Sequence, residues 1–171
     1  MKALIIIDML NDFLSKEGAL YCGDTSRKII PFVKNKIEEF HEKGDLVIFI
    51  CDAHDEDDRE FKMFEKHAVE NSNGAEIIEE LPIFKDDIII KKKTFSSFLG
   101  TGLDKVLKEY KISEIHLLGV CTSICIMDTA GELRNRHYPV VVYKEGVADF
   151  DQEAHQFALR RMDKVYGAKV V

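Results

Sequence analysis

Apolar and amphipathic stretches alternate along the whole chain. Six short, nearly continuous apolar runs are typical of strands that are buried on both faces of a sheet. These predicted strands are residues 3–7, 46–51, 88–90, 115–120, 140–143 and 168–171. Between them, apolar residues recur at helical spacing, which predicts helices that cover the sheet. The predicted helices are residues 25–43, 101–110, 123–136 and 152–165.

The order of these elements predicts the fold class. Strands that alternate with helices form a mostly parallel sheet with helices on both faces. We therefore expect an α/β fold, a Rossmann-like, doubly wound three-layer sandwich around a six-stranded sheet. A chain of 171 residues suits one sizeable core, so residues 1–171 are predicted to form a single domain. The one long irregular stretch, residues 52–74, is expected to serve function, as long loops in compact domains usually do.

Composition and charge limit the kinds of partner that the protein is expected to bind. Hydrophobic residues make up 46% and charged residues 32% of the chain, which is ordinary for a globular protein. The net charge is -7, so nucleic acid is not an expected partner. No apolar segment has the length of a membrane span or the form of a signal peptide. These features predict a cytoplasmic protein without membrane contact.

Four cysteines are present, Cys22, Cys51, Cys121 and Cys125. Their even number allows disulfides, but a reducing compartment argues against them. The spacing of Cys121 and Cys125 is not that of a zinc-binding pair, and no second pair completes such a site. One of these thiols is a candidate catalytic nucleophile.

Residues able to do chemistry follow the predicted strands at their carboxyl ends, the edge where open parallel sheets bind ligands. In chain order they are Asp8, Asp52 with His54, Lys91 to Lys93, and the segment from Cys121 to Cys125. Because the strands are parallel, a carboxylate, a carboxylate with a histidine, a lysine and a cysteine are expected to converge on one rim.

Cys125 is predicted in the first turn of a helix, where the helix dipole and free N–H groups lower a thiol pKa and hold an anion. This favours a nucleophile with an oxyanion hole in the same loop. The alternative is a small buried cysteine that packs the helix on the sheet, and Cys121 has the same two interpretations.

Asp8 is either functional, a helix cap or part of a structural ion pair. An inward lysine would stabilise both Asp8 and a thiolate.

Asp52 and His54 are candidate metal ligands, since alternate residues that leave a strand can face one cavity. The loop that follows adds acidic residues and His67. Mixed carboxylate and imidazole ligands suit zinc, manganese or iron(II) rather than calcium. The alternative is a solvated acidic loop with structural histidines.

Four segments carry a family resemblance that covers nearly the whole chain. They are residues 3–13 (ALIIIDMLNDF), 52–54 (DAH), 92–98 (KKTFSSF) and 119–125 (GVCTSIC). Together they resemble the isochorismatase-like cysteine hydrolase family, and within it the nicotinamidases.

The resemblance implies a role for particular residues. The implied catalytic residues are Asp8, Lys92 and Cys125. A cis peptide between Val120 and Cys121 is implied at the oxyanion hole. The implied substrate-binding rings are Phe13 and Phe64. The implied ligands of one divalent metal ion are Asp52, His54, Glu60 and His67; this metal set favours nicotinamidase over isochorismatase, which lacks it.

The activity that the resemblance implies is hydrolysis of nicotinamide to nicotinate and ammonia through a cysteine thioester, in NAD salvage. The metal, zinc or else manganese or iron, would orient the pyridine nitrogen rather than activate water. Two residues depart from the nicotinamidase pattern, since Phe64 replaces a frequent tryptophan and Ala68 a frequent cysteine. A different small amide, a carbamoyl or a ureido compound is therefore an alternative substrate.

A non-catalytic doubly wound binding module is an alternative of another class. A glycine-rich phosphate loop after the first strand would favour it, but residues 8–12 contain no glycine. The expected partner is thus a small-molecule amide. A homo-oligomer is compatible with the sequence.

Overall fold

In the computed structural model, which describes all 171 residues, six strands form one parallel sheet. The strands are β1 (Lys2–Ile7), β2 (Leu46–Asp52), β3 (Ile88–Lys92), β4 (Glu114–Val120), β5 (Val140–Ala148) and β6 (Lys169–Val170). Their order across the sheet is β3-β2-β1-β4-β5-β6, and every pairing is parallel. The predicted doubly wound α/β fold is confirmed.

Six α-helices connect and cover the strands. They are α1 (Asn11–Leu14), α2 (Asp24–Arg27), α3 (Ile30–Glu42), α4 (Leu103–Glu109), α5 (Met127–Asn135) and α6 (Gln152–Lys164). Short 3-10 helices lie at Arg59–Lys62 and Asn73–Ala75, and a π-helical turn, Thr122–Ile126, runs directly into α5. None of the helices has the length and apolar character needed to cross a membrane.

The sheet divides the core into two apolar layers. Successive residues of β1 face opposite ways, so Ile5 and Ile7 join one layer while Leu4 and Ile6 join the other. Apolar residues of α3 close one layer, and those of α4, α5 and α6 close the other. Because β1 is buried on both faces, its sequence is an unbroken apolar run.

Several element bounds differ from the predicted ones. The predicted helix 25–43 is two helices, α2 and α3, because Pro31, in the first turn of α3, lacks the N–H that would donate to the carbonyl of Arg27 in one continuous helix. The predicted helix 123–136 opens instead with the π-helical turn. β3 continues to Lys92, and β5 resumes pairing with β4 at Val147 after a bulge, so both extend beyond their predicted ends. The four-residue α1 was not predicted, since so short a helix leaves no periodic pattern.

The strand order reverses at β1. The chain passes from β1 to β2 and β3 on one side, and then returns to β4 on the other side. Ligands bind at such a switch point, beyond the carboxyl ends of the strands. Asp8 follows β1 and the turn with Cys125 follows β4, so the fold brings these two residues together across the crevice.

Candidate active site

Asp8 is held just beyond β1 in a strained backbone conformation. Its φ is 53°, in the left-handed region that residues other than glycine rarely adopt. Its N–H donates to the carbonyl of Ile50 at 2.9 Å, and its Oδ1 accepts the N–H of Asp52 at 2.9 Å. These bonds fix both the backbone and the side chain, so the strained residue aims its carboxylate at one place.

Lys92, the last residue of β3, supplies a buried ammonium between two carboxylates. Its Nζ lies 2.8 Å from Oδ2 of Asp8, as an ion pair rather than a directed hydrogen bond, and it donates to Oδ1 of Asp52. It also lies 3.4 Å from Sγ of Cys125. Burial disfavours its charge, but the carboxylates of Asp52 and Asp8 outweigh burial and hold the pKa of Lys92 well above its usual range.

Burial dominates the protonation of Asp8 and Cys125. Burial and the neighbouring Asp52 carboxylate raise the pKa of Asp8 to about 6, against the opposing effect of Lys92. Burial likewise raises the pKa of the Cys125 thiol well above its ordinary value, although Lys92 acts in the other direction. The expectation that the helix start would lower this thiol pKa is therefore wrong. A protonated thiol instead lies beside a carboxylate that can accept its proton.

Cys125 lies in the π-helical turn Thr122–Ile126, called here the Cys125 turn. The peptide bond between Val120 and Cys121, directly before this turn, is cis. The N–H of Cys121 donates to no acceptor within the protein. An unoccupied N–H donor close to a nucleophilic sulfur is what an oxyanion hole requires.

Asp52, His54 and His67 form a second cluster next to the first. One ligand atom of each lies within 4.8 Å of the others, and all three residues are buried. The long loop brings His67 back to β2, because the His54 N–H donates to the carbonyl of Ala68 at 2.9 Å. Nε2 of His54 is buried without a hydrogen-bond partner. A buried nitrogen is costly to leave unpaired, and a metal ion would use its lone pair.

Further contacts orient both imidazoles toward this cluster. Nδ1 of His67 lies 2.7 Å from the carbonyl of Glu65, which can only accept, so Nδ1 carries the proton and Nε2 is free to bind a metal. Nδ1 of His54 lies 3.1 Å from Oδ2 of Asp58. Burial lowers the pKa of His67, whereas the carboxylates of Asp52 and Asp58 outweigh burial and raise the pKa of His54 to about 9.

Glu60 borders this cluster without joining its tightest group. Its Oε1 lies 3.8 Å from Nε2 of His67, and it groups instead with His54 and Asp58. Burial and the Asp52 carboxylate raise the pKa of Glu60 to about 7. Its place as a fourth ligand therefore stays a prediction.

Both clusters open into one cavity of about 360 Å³. Asp8 and Cys125 line it from one cluster, and Asp52 and His67 from the other. The aromatic part of the lining consists of Phe13, Tyr21, Phe64, Phe95 and Phe150. No lysine or arginine lines the cavity, so its polar groups are acidic or neutral apart from the imidazole.

The structure brings the predicted site residues together and adds three aromatic rings that were not predicted, Tyr21, Phe95 and Phe150. Phe95 lies within residues 92–98, so the sequence held a signal for it in the segment that contains Lys92. Phe150 follows β5 and remains 59% exposed. Nothing in its sequence neighbourhood links it to the other residues, and only the tertiary fold carries it to the cavity.

The fold and the site define a doubly wound α/β protein with a buried thiol, carboxylate and ammonium at the switch point of its sheet. The chain belongs to the isochorismatase family, whose domain model (Isochorismatase domain) matches residues 2–171.

Several solved structures of similar proteins are named as amidases. Nicotinamidase/pyrazinamidase PncA from Bacillus subtilis is 36% identical, with a TM-score of 0.94 over 100% of both chains. Pyrazinamidase from Pyrococcus horikoshii, solved in complex with zinc, is 32% identical, with a TM-score of 0.93 over 99% of this chain and 98% of that one. N-carbamoylsarcosine amidase from Thermoplasma acidophilum is 31% identical, with a TM-score of 0.89 over 99% and 95%. The chain is accordingly an amidohydrolase of this family.

The buried ammonium of Lys92 is expected to contribute to the free energy of unfolding. Replacing Lys92 with Met leaves two buried carboxylates uncompensated, which is expected to lower the free energy of unfolding by about 3 kcal/mol. Lys91 and Lys93 are matched controls, because their side chains are 56% and 49% exposed and pair with Glu70 and Asp55 at the surface. Their Met variants should change stability by less than about 1 kcal/mol. Urea unfolding measures all three, and equal small losses would contradict the central role of Lys92.

Proposed function

We propose that this chain is a nicotinamidase, which hydrolyses nicotinamide to nicotinate and ammonia and so serves NAD salvage. The observation that carries this proposal is a cavity lined by aromatic rings and free of lysine and arginine, with the thiol of Cys125 in its wall. Such a cavity suits a flat, uncharged aromatic amide. The similarity to proteins named nicotinamidase and pyrazinamidase supports the same substrate class.

Carbamoyl and ureido acids are the alternative substrates, because an amidase of N-carbamoylsarcosine shares the fold. Those compounds carry a carboxylate, which a buried site accepts only when a cation or several N–H groups receive it. The carboxylates Asp8, Asp52 and Glu60 line the cavity instead, and they would repel an anion. The side chains of the cavity, taken without a metal ion, thus favour the neutral amide, and the aromatic rings favour a flat one.

The first half of the proposed reaction forms a thioester. The Asp8 carboxylate accepts the proton of the Cys125 thiol as Sγ attacks the carboxamide carbon. A carboxylate with a pKa of about 6 is suited to this transfer, since it is ionised at neutral pH and basic enough to take a proton. The N–H groups of Cys121 and Cys125 donate to the oxyanion. Lys92 stabilises the negative charge that passes between Asp8 and Sγ.

The second half returns the enzyme to its starting state. The tetrahedral intermediate collapses, the C–N bond breaks, and Asp8 gives its proton to the departing ammonia. Asp8 then accepts a proton from water as that water attacks the thioester carbon. The C–S bond breaks, Asp8 returns its proton to Sγ of Cys125, and nicotinic acid releases its own proton to water and leaves as its anion.

The residues present fit one divalent metal ion. Asp52, His54 and His67 would hold it, with Glu60 as a further candidate, and the unpartnered Nε2 of His54 is the atom that most requires it. Zinc is the favoured metal, since it accepts mixed nitrogen and oxygen ligands. When bound, the ion would supply a Lewis-acidic position that orients the pyridine nitrogen.

The proposed nucleophile is tested by removing its sulfur. Cys125→Ala is expected to lower kcat for nicotinamide by at least about 10⁴-fold, because no other thiol lies beside Asp8 and Lys92. Cys51→Ala is a matched control, a buried cysteine on β2 that does not line the cavity. Cys121→Ala keeps its backbone N–H and should retain measurable turnover. Ammonia release measures each variant, and parent-like turnover by Cys125→Ala would exclude the thioester mechanism.

The metal site is tested by its stoichiometry. Protein purified without a histidine tag is expected to contain one divalent metal ion per chain, and His54→Ala and His67→Ala should lose it. His41→Ala, outside the cluster, should keep it, and Glu60→Gln decides whether Glu60 is a ligand. Elemental analysis gives the metal content of folded protein, so this result does not depend on activity. A metal-free preparation with full activity, unaffected by chelator, would contradict a functional metal site.

The substrate assignment is tested with two rings of the same shape. Nicotinamide is expected to have a kcat/KM at least about tenfold above that of benzamide, a difference of about 1.4 kcal/mol. The metal ion that Asp52, His54 and His67 would hold offers a partner to the lone pair of the pyridine nitrogen, which benzamide lacks. Phe13 and Phe64 would contact both rings alike, so apolar contact cannot produce the difference.

Two further outcomes separate the alternatives. Equal kcat/KM values for the two amides would leave an amidase but remove nicotinamide as its specific substrate. Faster hydrolysis of an N-carbamoyl amino acid than of nicotinamide would contradict the argument from the charge of the cavity.

A further inference from the structure

Asp149, at the junction of β5 and α6, is a fully buried carboxylate outside the residues described so far. Its Oδ2 accepts the N–H of Ser123 at 2.8 Å, and its Oδ1 accepts the N–H of Asp151 at 3.1 Å. Backbone N–H groups rather than lysine or arginine thus satisfy both of its oxygens. Because Ser123 belongs to the Cys125 turn, Asp149 joins that turn to the start of α6.

A second contact holds the residue next to Ser123. Nδ1 of His155, in α6, lies 2.8 Å from Oγ1 of Thr122, which is completely buried. Two consecutive residues of the Cys125 turn are therefore held from one side by the segment that contains Asp149 and His155. Neither Asp149 nor His155 lines the cavity.

The position of Asp149 explains why a charged residue can be buried there. Ser123 is the second residue of the Cys125 turn, which runs into α5, and Asp151 is the N-cap of α6. Free N–H groups and the positive ends of helix dipoles meet at such starts, and they favour an anion. One carboxylate between two helical starts also fixes how the two lie relative to each other.

We propose that Asp149, assisted by the contact of His155 with Thr122, is a positioning residue for amide hydrolysis. It holds the Cys125 turn so that Sγ of Cys125 and the free N–H of Cys121 keep their places relative to the carboxamide. Small displacements of such groups cost a large factor in rate, because the reaction needs aligned atoms. This inference rests on the proposed function.

The test compares Asp149→Ala with Asp151→Ala. Asp151 is a matched control two residues away: it caps α6 by accepting the N–H groups of Glu153 and Ala154, and its side chain accepts no hydrogen bond from the Cys125 turn. With nicotinamide, Asp149→Ala is expected to lower kcat about 100-fold while KM changes less than about threefold. Asp149→Asn keeps one acceptor oxygen and should lose about tenfold. Asp151→Ala should keep kcat within about threefold of the parent, since it loses only a helix cap.

The rate at which iodoacetamide alkylates Cys125, followed by mass spectrometry, is a second readout that needs no substrate. We expect Asp149→Ala to slow this reaction and Asp151→Ala to leave it unchanged, because alkylation also requires that Asp8 accept the thiol proton. A folded Asp149→Ala with the kcat and alkylation rate of Asp151→Ala would overturn the proposal. If Asp149→Ala does not fold, Asp149→Asn takes its place. A decrease in kcat and in alkylation rate no larger than that of Asp151→Ala then overturns the proposal. If the parent does not hydrolyse nicotinamide, the proposed function fails alone, and the alkylation rates still decide the role of Asp149.

Discussion

The buried ammonium of Lys92 is the interaction on which the rest of the site depends. Asp8, Asp52 and Lys92 come from the ends of β1, β2 and β3, which are neighbours in the sheet. Two carboxylates cannot both remain ionised in a dry interior unless a cation lies between them. One ammonium compensates only one of the two charges, so the cluster keeps a surplus of negative charge. Burial, together with that surplus, raises the pKa of Asp8 to about 6 and makes it a proton acceptor near neutral pH.

Asp52 links the catalytic cluster to the candidate metal site. Its Oδ1 accepts from Lys92, while its Oδ2 lies 3.7 Å from Nε2 of His54. The negative surplus beside Lys92 therefore adjoins two imidazoles, a combination that attracts a divalent cation. A cation held there would in turn favour the ionised form of Asp8. The two clusters are coupled through one carboxylate.

Backbone geometry at the switch point allows the ends of β1 and β4 to lie close together. β1 and β4 approach so closely that a Cβ at Gly119 would lie 2.0 Å from the carbonyl oxygen of Ile7. The φ of Gly119 is 117°, in a region that residues other than glycine rarely adopt. Together with the positive φ of Asp8, it turns both strand ends toward the same crevice. Cys125, in the turn that follows β4, then lies close to Asp8.

Much of this protein follows from local sequence alone. Unbroken apolar runs identify buried parallel strands, and their alternation with helices identifies the doubly wound fold, because a strand covered on both faces has no polar side. The edge on which Asp8, His54, Lys92 and Cys125 meet also follows, since parallel strands end on one side of the sheet. The break of the predicted helix before Pro31 was not predicted although the proline is a local signal for it. The continuation of β5 past its polar residues was not predicted, because pairing with β4 decides where that strand ends.

Only the tertiary structure decided the electrostatics and the walls of the cavity. From sequence, Cys125 was expected to have a lowered thiol pKa, but burial raises it, and burial is a property of the folded chain. Phe150 and Asp149 approach the site from the end of β5, far along the sequence from the residues they serve. Strand order brings them there, since β5 pairs with β4 and ends beside the Cys125 turn. Local patterns determine which residues form each element, whereas contacts between distant elements determine which of those residues share a site and which charges they hold.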